Sequence, residues 1–159
     1  MDEDKTMDIT SLKYEKNIRI DYETDDGTFR METEDRPHPD LTKALSSLVF
    51  IFLTRMQFES VSERVHVSGI ESGKDDGGRW YRIIGLYTAH TVSHKLTCPK
   101  LRYPGPTFWE DIEDPSQYPG HLTEDEMQQI EGCLAEAMAF VDGKRAQLKL
   151  EIDELEEQL

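Results

Sequence analysis

Catalytic signatures are what this chain most conspicuously lacks. Its 159 residues contain no Gly-x-Ser-x-Gly elbow, no Gly-x-x-x-x-Gly-Lys phosphate loop and no His-Glu-x-x-His pair. The adjacent carboxylates Asp25-Asp26 and Asp75-Asp76 sit beside Gly27 and Gly77, where solvated turns account for them. No catalytic residue is assigned. Two cysteines, Cys98 and Cys133, are too few for a disulfide framework and fit free thiols in a reducing compartment. The longest apolar run, Leu48 to Leu53, falls far short of the roughly 18 residues of a membrane span. The acidic opening Asp2-Glu3-Asp4 does not resemble a secretory leader, so a soluble cytoplasmic protein is expected.

Negative charge is missing from a stretch that is rich in cations. The chain carries net charge −15, yet residues 79–102 hold five cations and no acid. The cations are Arg79, Arg82, Lys95, Lys100 and Arg102, interleaved with Trp80, Tyr81, Tyr87 and, just beyond, Tyr103. The last third is the opposite: 15 acids from Glu110 to Glu157 against Lys144, Arg145 and Lys149. Such opposed fields bear on partners and solubility rather than on fold.

The periodicity predicts an α+β domain of order βββα-βββα, two antiparallel meanders packed by two main helices. Ile18, Ile20 and Tyr22 alternate with Arg19, Asp21 and Glu23, and Asp25-Asp26-Gly27 supplies a hairpin turn to Phe29 and Met31. A helix begins near Pro39 and Asp40, with Leu41, Ala44, Leu45, Leu48, Phe52, Leu53 and Met56 on one face. A second set of strands follows: one through Val65 and Val67, a long one from Trp80 to His90, and a third from Ser93 to Arg102. Gly85 marks a bulge or a close approach by another backbone. Four prolines between Pro104 and Pro119 forbid regular structure, leaving an excursion anchored by Phe108 and Trp109. Thr123-Glu124-Asp125-Glu126 is a capping box opening a helix whose buried face is Met127, Ile130, Leu134, Ala137, Met138 and Val141. Gly143 ends or bends it. A single domain over 1–147 is followed by an acidic helical extension, 148–159.

His90, His94 and Cys98 share a strand face but stand roughly 13 Å apart at strand rise, too far for one metal. No metal or other cofactor is assigned. The cationic stretch is the better candidate site. Arg79, Arg82, Lys95, Lys100 and Arg102 suit phosphate oxygens, and Trp80, Tyr87 and Tyr103 suit stacking on a base. A protein of charge −15 repels duplex DNA, so a small anionic ligand in a local pocket is the expected partner. The alternative is an acidic decoy, in which Glu151, Asp153, Glu154, Glu156 and Glu157 imitate a phosphate backbone for a host nucleic-acid-binding protein. A homo-oligomer is compatible with the wide apolar surface around Val49, Phe50 and Ile51.

Three stretches carry a resemblance: Asp35-Arg36-Pro37-His38-Pro39-Asp40-Leu41 running to Leu48, Val65 to Ile70, and Phe140-Val141-Asp142-Gly143-Lys144-Arg145-Ala146-Gln147. In these the chain resembles a family of small uncharacterised proteins encoded by bacteriophages and prophages. That resemblance implies source and class, a viral accessory protein inside the bacterial cell, and no mechanism. It departs from the family in the excursion 104–120 and in the tail beyond Gln147, and it carries no functional residues over. The expected function, argued from the cationic stretch and the missing catalytic motifs, is non-enzymatic binding of a small anionic ligand such as a nucleotide immune signal in counter-defence.

Overall fold

The computed structural model describes residues 7–145. The expected acidic extension 148–159 and the boundary before it lie outside the described residues. Six antiparallel strands form one sheet: β1 (Asp8–Tyr14), β2 (Ile18–Thr24), β3 (Gly27–Thr33), β4 (Val65–Asp75), β5 (Gly78–Ala89) and β6 (Val92–Thr97), in the order β3-β2-β1-β4-β5-β6. The strands of the two halves join through β1 and β4, where Ser11 faces Glu71 and Lys13 faces Gly69. Gly69 permits that junction, since a side chain there would meet the Leu12 carbonyl oxygen at 2.5 Å.

Helices pack on one face of this sheet: α1 (Pro39–Ser47), α2 (Val49–Met56) and α3 (Glu124–Val141). The single helix expected from Pro39 to Met56 is thus bent into two. Leu48 takes φ −72° and ψ −8°, and its N–H bonds back to Leu45 in a tighter turn. The bend serves packing: Leu41 and Leu45 stay in the core from α1 while Ile51, Phe52 and Leu53 enter it from α2. His38 caps α1 in place of the usual hydroxyl or carboxylate, its Nδ1 accepting the Asp40 N–H at 3.1 Å.

The capping box of α3 is present in both directions. Thr123 Oγ1 accepts the Glu126 N–H at 3.2 Å and Glu126 Oε1 accepts the Thr123 N–H at 3.0 Å. Cys133 and Phe140 join Ile130, Leu134 and Ala137 as its buried residues, whereas Met127, Met138 and Val141 are only partly covered. Gly143, at φ 115°, ends the helix in the left-handed region.

The third strand of the second half stops at Thr97 rather than Arg102, because Pro99 cannot donate to a ladder. Cys98 takes the thread inward: its N–H bonds the Ile83 carbonyl and its Sγ accepts the Ile83 N–H at 3.1 Å. Leu101 then resumes pairing with Tyr81. The proline-rich excursion is tied down by Trp109 Nε1, which donates to the Leu122 carbonyl at 2.9 Å, and by Phe108 stacked on His121 at 4.7 Å. Among the described residues no helix is long and apolar enough to cross a membrane.

Candidate anion-binding site

Direct pairs in an antiparallel sheet project to the same face, so the register sorts every strand residue. Ile70 and Ile83 are partners in the core under the helices, together with Ile20, Leu12 and Tyr81. Arg79 and Tyr87 share that face by parity along β5. Trp80, Arg82 and Ile84 turn the other way, to the open face, as does Lys95 through its pairing with Leu86.

The eight residues singled out in the sequence therefore do not make one surface. Arg79 lies on the helical side, its Nε bonded to Tyr81 Oη at 2.9 Å and its guanidinium near Asp8 (3.6 Å) and Glu131 (3.9 Å). Tyr87 packs between Phe58 and His94. Tyr103 is partly buried against the core. Trp80, Arg82 and Lys100 do meet: the Arg82 and Lys100 cations stand 5.1 and 4.7 Å from the indole ring, which lies across Gly73. Their charge is spent inside the molecule. Asp75 takes Lys100 at 3.2 Å and Arg102 at 2.6 Å, and Glu71 stands 4.0 Å from Arg82. Of the five cations, Lys95 alone forms no ion pair among the described residues.

The bidentate Arg102 and the neighbouring Lys100 hold the Asp75 carboxyl well below the usual carboxylate range. A depressed folded-state value stabilises the fold above the unfolded value of about 3.9, and this contribution drains away as pH falls below it. Acid titration of unfolding should show a shallower acid limb for Asp75→Asn than for the parent chain; parallel curves would contradict the linkage. The Tyr81 hydroxyl is pushed up by burial and by donating to Glu131, so it stays protonated and is no base. His90 occupies the β5–β6 turn at φ 58°, away from His94 and Cys98.

Unspent positive charge gathers elsewhere on the open face. One register row crosses the whole sheet: Glu32, Arg19, Lys13, Gly69, Ile84 and Thr97. Beside it opens a recess of about 350 Å³ whose cations are Lys13, Lys16, Arg19 and Lys95, with Glu15 and Glu32 as the opposing acids and Asn17 at the β1–β2 turn. Glu32 and Lys95 come from opposite edge strands, about 24 Å apart across a flat sheet, yet both line the one recess. The stem of Lys13 lies over Gly69, its Cγ standing 3.3 Å from where a β-carbon would be. Ile84, on the same register row, is only 2% exposed although it faces away from the helices.

Two observations bear on these four cations. None of them forms an ion pair among the described residues, a state shared by Arg36, Lys43, Arg64 and Lys74, which do not line the recess. Arg19 Nε is shut off from solvent with no hydrogen-bond partner among the described residues, a costly state for a guanidinium N–H. Lys13, Lys16 and Arg19 escaped the reading of the sequence because Glu15 and Asp21 punctuate them, so no charge run appears. The polar alternation of β1 and β2 was the available signal. No family model matches the chain, and neither a curated protein nor a solved structure matches it.

Proposed function

We propose that this protein binds a small anionic ligand, without turning it over, in the basic recess on the open face of its sheet. The single observation that carries the reading is a recess lined by four cations that form no ion pair among the described residues, in a molecule of net charge −15. The two Nη groups of the Arg19 guanidinium offer paired N–H donors to a phosphate or carboxylate, and the lysines add point charges that need no fixed geometry. Glu15 and Glu32 penalise a bulky polyanion and favour a compact one carrying about two negative charges. The negative field of the rest of the molecule disfavours duplex nucleic acid at the same place.

A role in counter-defence belongs to this proposal. Sequestration asks only for binding, and a nucleotide signal presents phosphate groups of the right class. The stacking expected on Trp80 is not part of it, since that indole is already covered by Arg82 and Lys100.

The test is titration calorimetry at about 0.15 M salt with inorganic pyrophosphate and with a nucleoside triphosphate as probes. Arg19→Gln and Lys95→Gln should each weaken retention about tenfold, the worth of one charge-assisted hydrogen bond. Arg102→Gln, whose charge is spent on Asp75, should leave retention unchanged. Recovery of the intact probe after denaturation distinguishes binding from turnover. Equal affinity in the Arg19 variant and the parent would end the proposal.

A further inference from the structure

Strand β3 is an edge of the sheet, and its seven residues contain no proline or inward charge to block a further strand. Which backbone groups it offers follows from the hairpin. Thr24 and Gly27 close a two-residue turn, so this pair is hydrogen-bonded and the bonded pairs alternate from there. Gly27, Phe29, Met31 and Thr33 thus spend their N–H and C=O groups on β2. Thr28, Arg30 and Glu32 turn theirs to the free edge, where no backbone partner meets them among the described residues.

We infer that two copies of this chain associate through β3, antiparallel about a two-fold axis at Met31. The charges select that register. Centred on Met31, each Arg30 stands opposite Glu32 of the partner subunit, and the two edge-facing residues form a hydrogen-bonded pair, as the parity requires. Centred on Arg30 or on Glu32, the axis would set like charges directly against each other, which is destabilising. Arg30 has capacity for a second carboxylate: Nε and Nη2 reach Asp21 at 2.8 and 3.4 Å, Nη1 has no partner among the described residues, and the side chain is 60% exposed. Phe29, 41% exposed on the helical side, gains cover from the added strand.

The other edge does not compete. By the same parity β6 presents Ser93, Lys95 and Thr97, which include no acid to answer Lys95 across a two-fold axis. An isologous β3 contact uses the same edge on both copies, so assembly stops at two and yields a continuous twelve-stranded sheet.

Sedimentation of the full chain at about 0.15 M salt, where the repulsion of two acidic molecules is screened beyond roughly 8 Å, should give a dimer. Glu32→Arg should weaken association at least tenfold, and combining it with Arg30→Glu should restore it, with melting curves confirming that each variant is folded. A second measurement does not depend on those charges. Met31→Cys places two thiols across the axis at a Cα separation of about 4.5 Å, within disulfide range, and mild oxidation should link them. Phe29→Cys, displaced by two residues in each copy, should not link. The native thiols Cys98 and Cys133 are buried and do not interfere. A monomer at every concentration, or equal cross-linking by both cysteine variants, overturns the inference.

Discussion

Gly85→Ala is expected to destabilise the fold by about 3 kcal/mol, the upper part of the range for overpacking a well-packed interior. In a chain of this size that corresponds to a fall in Tm of roughly 9 °C. The cause is a ring, not a backbone. A β-carbon at Gly85 would stand 2.6 Å from Phe52 Cζ and 2.7 Å from Cε1. Phe52 is fully buried, fixed on α2 just after the bend, and has no route of retreat that does not move the helix. The sequence reading anticipated a bulge or a backbone contact at Gly85. The irregularity lies instead in the neighbouring strand, between Val67 and Gly69, where Val67 faces Gly85.

Thermal unfolding of a double-mutant cycle separates this cause from a general loss of strand propensity. Phe52→Leu alone should cost stability by leaving a void, but it should relieve part of the Gly85→Ala penalty, giving a coupling of about 1 kcal/mol or more. Strict additivity would mean that α2 does not sit on β5 as described.

Arg55→Met should cost about 3 kcal/mol, the low end of the range for removing one partner of a buried ion pair. The low end applies because the Arg55 and Glu126 side chains keep 12% and 18% of their exposure. Arg55 Nη2 meets Glu126 Oε1 at 2.6 Å and the His121 carbonyl at 3.2 Å, while Nε donates to the Pro119 carbonyl at 2.9 Å. One guanidinium thus joins α2, the return of the proline-rich excursion and the capping box of α3. Losing it leaves Glu126 half-buried without its cation and two carbonyls without a donor. Urea unfolding measures the loss. Hydrogen exchange adds a local readout: the His121 and Leu122 amides, held by Tyr118 and Arg102 carbonyls, should lose protection before the sheet does. Arg55→Lys should recover little, since an ammonium cannot make this fork. Full stability of the lysine variant would reduce Arg55 to an ordinary surface charge.

Local chemistry was legible in the residues themselves. Thr123 and Glu126 announced the start of α3, Gly143 its end, and Asp25-Asp26-Gly27 the first hairpin, because caps and turns are satisfied within four residues. The alternation of Ile18, Ile20 and Tyr22 likewise determines which side of β2 is buried. The bend at Leu48 was not legible: no proline or glycine marks it, and it exists only because α1 and α2 pack against different neighbours. Cys133 and Phe140 were missed for a related reason, since one helical stripe widens where two elements close over it.

The candidate site divides in the same way. An acid-free run from Arg79 to Arg102 is a fact of the sequence, but whether its charge is available depends on what comes to meet it across the sheet. Asp75, Glu71, Asp8 and Glu131 come from three other elements, and alternation along β5 sends neighbouring cations to opposite faces. By itself, then, the sequence determined most of the elements, the capping box of α3, the first hairpin turn and the buried side of β2, because these follow from period and short-range hydrogen bonding. Only the tertiary structure decided where positive charge is left over. Pairing β1 with β4 sets Lys13 and Arg19 beside the face that carries Lys95, and an electrostatic field is a property of distances in space rather than of order along the chain.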